Sequence, residues 1–255
     1  MSVDRNRGSK LHMRQLASKL RDEEYRLWFE RQLSVHGVSV SKLAGWCPED
    51  YDASECCLPK FLRERWPEKL SWVGGLIRWW VKEKNNTPHW DMLTLANLDG
   101  APGVVLVEAK AHREELKPGD HCTSTNGPNR DRIAHRIRQT AKCLGLPIPS
   151  SEAALKTDYQ LRNRITWALK LARHGLWVAL VYIGFTNDPC WPEDPIEKDL
   201  WLGHVLTRAA GIIPKGLETD SLDVDNGGKL WFRIVEVPVP VKNQCRVRKG
   251  KGDHD

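Results

Sequence analysis

The chain has 255 residues, 40% hydrophobic and 28% charged, with a formal net charge of +6. That length can bury a real core in one domain, and no apolar run reaches the eighteen residues of a membrane-spanning helix. The excess of cations suits a polyanionic partner without requiring one.

Residues 1–10 are polar, and a flexible N-terminus is expected there. Their lack of an apolar core argues against a secretory leader. Seven cysteines lie at irregular spacing with no zinc pattern, so reduced thiols in a cytoplasmic protein are expected. Twelve Trp stand against four Phe and four Tyr. They imply either a core built around indoles or a groove lined with them.

Residues 11–34 read as one helix, with Met13, Leu16, Leu20 and Leu27 on one face. Residues 35–70 are broken by Gly and Pro and read as loop with short helical pieces. Two strand-like runs follow, HWDMLTLANL and GVVLVEAKAH, joined around Asp99-Gly100, a dipeptide that favours hairpin turns. Pro102 and Gly103 are candidates for lengthening that turn. A loop leads to an amphipathic helix, RDRIAHRIRQTAKCLG, with Gly145 placed to cap it. A helix from Tyr159 to His174, a buried strand LWVALVYIGF, a helix DLWLGHVLTRAAGI and a last strand KLWFRIVEVPV complete the pattern. Residues 241–255 form a basic tail. The order predicts an α/β fold, a mixed central sheet with helices on its faces. The 177–185 strand returns parallel to the 104–110 strand by way of a crossover helix.

The chemistry concentrates in LVEAKAH, residues 106–112. Side chains alternate along a strand, so Glu108 and Lys110 share a face at its C-terminal end. A turn centred on Asp99-Gly100 sets Asp91 opposite Glu108. Opposed residues have Cβ atoms about 4.5–5.5 Å apart. Two carboxylates so close repel unless positive charge lies between them, and a hard divalent cation prefers such oxygens. The plainer account is a strand-end ion pair beside an unrelated turn residue.

The pattern HWD at 89–91 and EAK at 108–110 resembles the PD-(D/E)xK nuclease superfamily, the restriction-endonuclease-like fold. The stretches 89–112 and 159–188 resemble uncharacterised members of it, so the likeness covers roughly residues 70–190. Trp90 stands where the motif has proline. The resemblance implies a single domain over 11–240 that hydrolyses phosphodiester bonds of nucleic acid, DNA in preference to RNA. It implies Mg²⁺, with Mn²⁺ as a substitute, held by Asp91, Glu108 and the carbonyl of Ala109. Asp91, Glu108 and Lys110 would be the catalytic set, Lys110 orienting or deprotonating the water with its own proton affinity lowered. Members often add an acid from the first helix, for which Glu23, Glu24 and Glu30 are candidates.

Arg132 and Arg136 on the basic helix, and Gln160 and Asn163 in YQLRNR, are candidate nucleic-acid contacts. A solvated helix face and ordinary capping account for them about as well. Arg164 stands with Gln160 and Asn163 among the polar residues placed to reach the site; His112 is a candidate phosphate contact or strand cap, His89 shares the face of Asp91, and Trp72, Trp79, Trp80 and Trp90 are candidates for base stacking that core packing accounts for better. The main rival is a module that keeps the nuclease fold and binds nucleic acid without cutting it. A homodimer is left open.

Overall fold

The computed structural model describes residues 8–47, 56–66, 72–81, 87–116, 120–189, 193–197 and 200–239. The basic tail lies outside the described residues, as do residues 1–7. The remainder of the expected flexible start is not loose: helix α1 spans Ser9–Lys19, with Ser9 and His12 buried.

The expected single N-terminal helix is two. Asp22 accepts a hydrogen bond from Tyr25 N at 2.9 Å and starts α2, Glu23–Leu33. An N-cap followed by two acidic residues favours a new helix start over a continuous one. The break re-aims the apolar stripe. Met13, Leu16 and Leu20 are buried, but Leu27 is 43% exposed, and α2 buries Phe29 and Leu33 instead.

The expected loop at 35–70 contains an edge strand, β1, Val40–Cys47. Its pairing is irregular, with positive φ at Lys42 and Gly45 and two register shifts. Those irregularities interrupt the alternation by which a strand is recognised. A short strand β2, Cys56–Cys57, pairs with β3, His89–Trp90, while α3 spans Leu58–Arg65 and α4 Val73–Trp80. Cys47 and Cys56 form a disulfide. The expectation of reduced thiols is wrong for this pair: two cysteines that neither spacing nor sequence marks are brought together by the sheet. The cytoplasmic expectation loses the support the cysteines lent it.

The hairpin follows the sequence reading closely. β4, Met92–Leu98, pairs antiparallel with β5, Ala101–Lys110, from Leu98 opposite Ala101 to Met92 opposite Val107. Asp99 and Gly100 both have positive φ, as a two-residue turn of this type demands. Pro102 and Gly103 do not lengthen the turn; they are β5 residues paired with Asn97 and Ala96.

The rest of the chain supplies α5 (Gly127–Cys143), α6 (Ser151–Lys156), α7 (Tyr159–Ala172), β6 (Trp177–Thr186), α8 (Leu200–Ala209), β7 (Leu222–Val224) and β8 (Gly228–Pro238). The main sheet has six strands in the order β1-β4-β5-β6-β8-β7. β6 runs parallel to β5 and β8, and the remaining neighbours are antiparallel. Its two faces are both covered. On one, Trp231 Nε1 donates to Leu33 O of α2, and Phe185 packs on His12 of α1. On the other, Gly184 lies against the Trp201 ring of α8, and the start of β8 lies against the end of α7. Burial on both faces explains why β5 and β6 read as continuous apolar runs. Five indoles, including Trp90 and Trp167, are almost fully buried, so core packing accounts for much of the tryptophan excess. Among the described residues no helix is long and apolar enough to cross a membrane.

Candidate active site

One step beyond the Met92–Val107 pair brings Asp91 level with Glu108. The contact is direct in the backbone: Ala109 N donates to Asp91 Oδ2 at 2.8 Å. The alternation along β5 turns Glu108 and Lys110 toward α7, and Lys110 Nζ lies 2.8 Å from Glu108 Oε1. These groups open into a cleft of about 900 Å³. The sequence-derived trio of Asp91, Glu108 and Lys110 is therefore brought together.

Helix α7 closes the site from above. Gln160 Nε2 donates to Glu108 Oε1 at 2.6 Å. Arg164 Nε donates to Glu108 Oε2 at 2.8 Å, and its Nη2 reaches His89 O at 2.6 Å. Its guanidinium also lies 4.5 Å from the centroid of the buried Trp90 ring. The sequence reading placed Arg164 near the site but missed its pairing with Glu108. A signal existed: Arg164 falls among Leu161, Ile165 and Ala168 on a helix that buries nearly every residue. A guanidinium there needs a buried carboxylate. Gln160, one turn earlier, shares its face.

The electrostatics separate the two carboxyls. Burial, reinforced by the Glu108 charge, pushes Asp91 up to about 8, against the pull of Lys110, the Ala109 N–H and Arg164. Burial alone would raise Glu108 too, but Lys110 and Arg164 outweigh it and hold it below the ordinary carboxylate value. Burial would lower Lys110, yet Glu108 and Asp91 hold its ammonium above its usual range. Tyr182, level with Glu108 on β6, is pushed well above the phenol range by burial and by the Glu108 charge.

The expected acid from the first helix is not at the site. Glu23 and Glu24 start α2 on its exposed side. Glu30 is buried but accepts from Leu43 N at 2.9 Å, tying α2 to β1. Glu114 and Glu115 also line the cleft, and Glu115 accepts from Ala111 N at 2.6 Å and from Ser9 Oγ at 2.9 Å. Asp120 also lines the cleft and accepts from Gln160 N.

Of the expected nucleic-acid contacts, Gln160 and Asn163 line the cleft, and Arg132 and Arg136 do not. Arg132 Nη1 donates to Arg78 O at 2.5 Å and Arg136 Nε to Trp79 O at 3.3 Å. Both cap carbonyls at the end of α4, where the helix dipole favours cations. His89 reaches the cleft and is exposed. His112 faces Glu115 and Asp194, each 3.9 Å away.

Among the described residues no group of three or more His, Cys, Asp or Glu side chains is arranged to hold a metal ion. The donor set still fits one class of ion. Asp91 and Glu108 offer hard oxygens, and Mg²⁺ commonly takes one or two carboxylates and completes its shell with water and substrate phosphate. Asn163 Oδ1 is buried on the cleft wall with no partner among the described residues, an acceptor left for a bound group.

The chain was compared with protein-family models, curated proteins and solved structures, and none matched.

Proposed function

We propose that this cleft hydrolyses phosphodiester bonds of nucleic acid, DNA in preference to RNA, on a restriction-endonuclease-like domain. The observation that carries the reading is the meeting of Asp91, Glu108 and Lys110 at the end of β5, on the wall of a cleft of about 900 Å³. The residues of the sequence motif lie 17 to 19 positions apart, and a hairpin in a single register is needed to bring them together.

Each residue has a task in this reading. Asp91, Glu108 and the Ala109 carbonyl would hold Mg²⁺ or Mn²⁺. The ion, when bound, supplies charge stabilisation at the phosphoryl group and makes a water more acidic. Lys110 stays an ammonium: it attracts the scissile phosphate, donates to the attacking water and offsets charge as it builds. Arg164 and Gln160 orient the Glu108 carboxylate. Asp91 would give up its proton on holding a cation, since a positive charge favours the ionised form.

A second reading has an observation of its own. Both Glu108 oxygens are already occupied, by Lys110 and Gln160 on one side and Arg164 on the other. A carboxylate so satisfied suits a module that binds nucleic acid and cuts nothing.

The test is cleavage of supercoiled plasmid and of a single-stranded circle with Mg²⁺ or Mn²⁺, controlled by EDTA and by Lys110→Ala. Metal-dependent cutting that the variant loses supports the nuclease. Mn²⁺ binding without cutting favours the binding module. Mn²⁺ affinity equal in wild type and Asp91→Ala removes the metal site altogether.

A further inference from the structure

Helix α7 carries a second constellation at its other end. Its start bears Gln160 and Arg164 into the cleft. Its end bears Lys170 and Arg173, roughly 15–20 Å from Gln160 and about 9–14 Å from Arg164 at 1.5 Å per residue, with His174 just beyond. There they meet Arg136 and Lys142 of α5 around a groove of about 720 Å³. One carboxylate, Asp225, lines the groove and lies 3.3 Å from Arg173. Lys142 and Lys170 have no acidic partner among the described residues.

Gathering like charges disfavours the charged form of each. The cost registers on the groups themselves. Lys170 sits below its ordinary value through burial and the charges of Arg136 and Arg173, and His174 sits below its own through burial, Lys170 and Arg173. An independent feature accompanies the charge. The half-buried Trp79 ring takes Lys170 at 5.3 Å and Arg136 at 5.7 Å from its centroid. Trp72 stacks on His174 at 4.1 Å with planes 7° apart. Trp79 lines the groove and Trp72 backs its His174, and a concave, cation-lined groove set beside aromatic rings is a form in which proteins hold the backbone of unpaired nucleic acid.

We propose that this groove is a phosphate-binding site for a single-stranded segment of nucleic acid, separate from the cleft at the opposite end of α7. The choice of nucleic acid among phosphate ligands rests on the nuclease reading; the affinity for phosphate does not. Arg136 already hydrogen-bonds Trp79 O and Gln139, so it shapes the groove, and Lys142 and Lys170 are the contacts that a strand would engage.

The experiment is fluorescence anisotropy of a labelled single-stranded oligothymidylate with the full chain in EDTA, where no cleavage is required. The Lys142→Gln/Lys170→Gln double variant removes two positive charges from the groove. Lys60→Glu changes net charge by the same amount on α3, where Lys60 is exposed. The groove variant is expected to bind about tenfold more weakly, with a salt dependence flattened by roughly 1.4 in slope for two lost phosphate contacts. Lys60→Glu is expected to stay within about twofold of wild type. Circular dichroism and thermal unfolding establish that both variants fold. Equal affinity in the groove variant and Lys60→Glu overturns the site. So does a duplex of equal length bound as tightly as the single strand. A wild-type chain that cuts neither plasmid nor single-stranded circle, with groove binding intact, would refute the nuclease and spare the groove. The reverse result would refute the groove alone.

Discussion

Asp91→Asn should stabilise the metal-free protein while abolishing metal binding. Asp91 is partly buried on the cleft wall, and its carboxyl is pushed from an ordinary 3.8 up to about 8. Between those values the unfolded chain releases a proton that the folded chain keeps, so stability falls as pH rises through that window. The slope is about 1.4 kcal/mol per pH unit. Over the roughly three units from 3.8 to pH 7 the limiting loss is about 4 kcal/mol. Relaxation of a buried site reduces such limits, and a loss of about 1–3 kcal/mol is the working figure. Asparagine carries no charge and keeps an oxygen for the Ala109 N–H, so it removes the loss and retains the bond. Urea unfolding in EDTA at about pH 4.5 and pH 7.5, with Mn²⁺ titration by calorimetry, reads both effects. The variant should gain stability over wild type at the higher pH, show little gain at the lower, and bind no Mn²⁺. A variant less stable than wild type at pH 7.5, or one with unchanged Mn²⁺ affinity, refutes the reasoning. A residue that costs stability in the free protein and is needed for a ligand fits the usual trade-off at functional sites.

Three further outcomes follow from the same geometry. Arg164→Met leaves Glu108 buried with one cation fewer, and urea unfolding should show a loss of about 3–5 kcal/mol; Glu108→Gln in the same chain should recover part of it, and a double variant no more stable than Arg164→Met removes the ion-pair explanation. Reduction of Cys47–Cys56, which closes a short loop with a sequence separation of 9, should cost about 2–3 kcal/mol, seen as a lower Tm with reductant and no such drop in Cys47→Ser/Cys56→Ser. Gly228→Ala would set a Cβ 1.9 Å from Ala172 O, so the end of α7 must shift; calorimetry should show a loss of at least about 2 kcal/mol, and an unchanged Tm would mean that β8 and α7 are not in contact there.

Which parts were legible depends on the range of the physics involved. Asp99-Gly100 sets a two-residue turn by local backbone preference, and the turn sets the register of β4 on β5. That register brings Asp91 to Glu108, so most of the candidate site follows from one dipeptide and the alternation of side chains. The parallel return of β6 follows from an apolar run after a helix long enough to cross over. The division of α1 from α2 was written locally as well, in Asp22 with Glu23 and Glu24, but the apolar stripe across it favoured one helix.

The remainder lies in contacts between distant residues. Arg164 meets Glu108 across 56 positions, and Glu115 meets Ser9 across 106. β1 is a strand only because β4 offers it an edge; its own alternation is broken at Lys42 and Gly45. Cys47 and Cys56 become partners because separate pairings, β1 with β4 and β2 with β3, bring them together. Arg132 and Arg136 read as phosphate contacts along a helix, yet only packing shows that they cap α4. The sequence by itself determined the hairpin, its register and the three residues at its end, because backbone dihedrals and strand alternation act between neighbours. Tertiary structure alone decided which cations neutralise Glu108, where the further carboxylates of the cleft come from and how far Asp91 is displaced from its ordinary value. Burial and Coulomb interactions depend on distance in space, and the order of residues along the chain does not encode it.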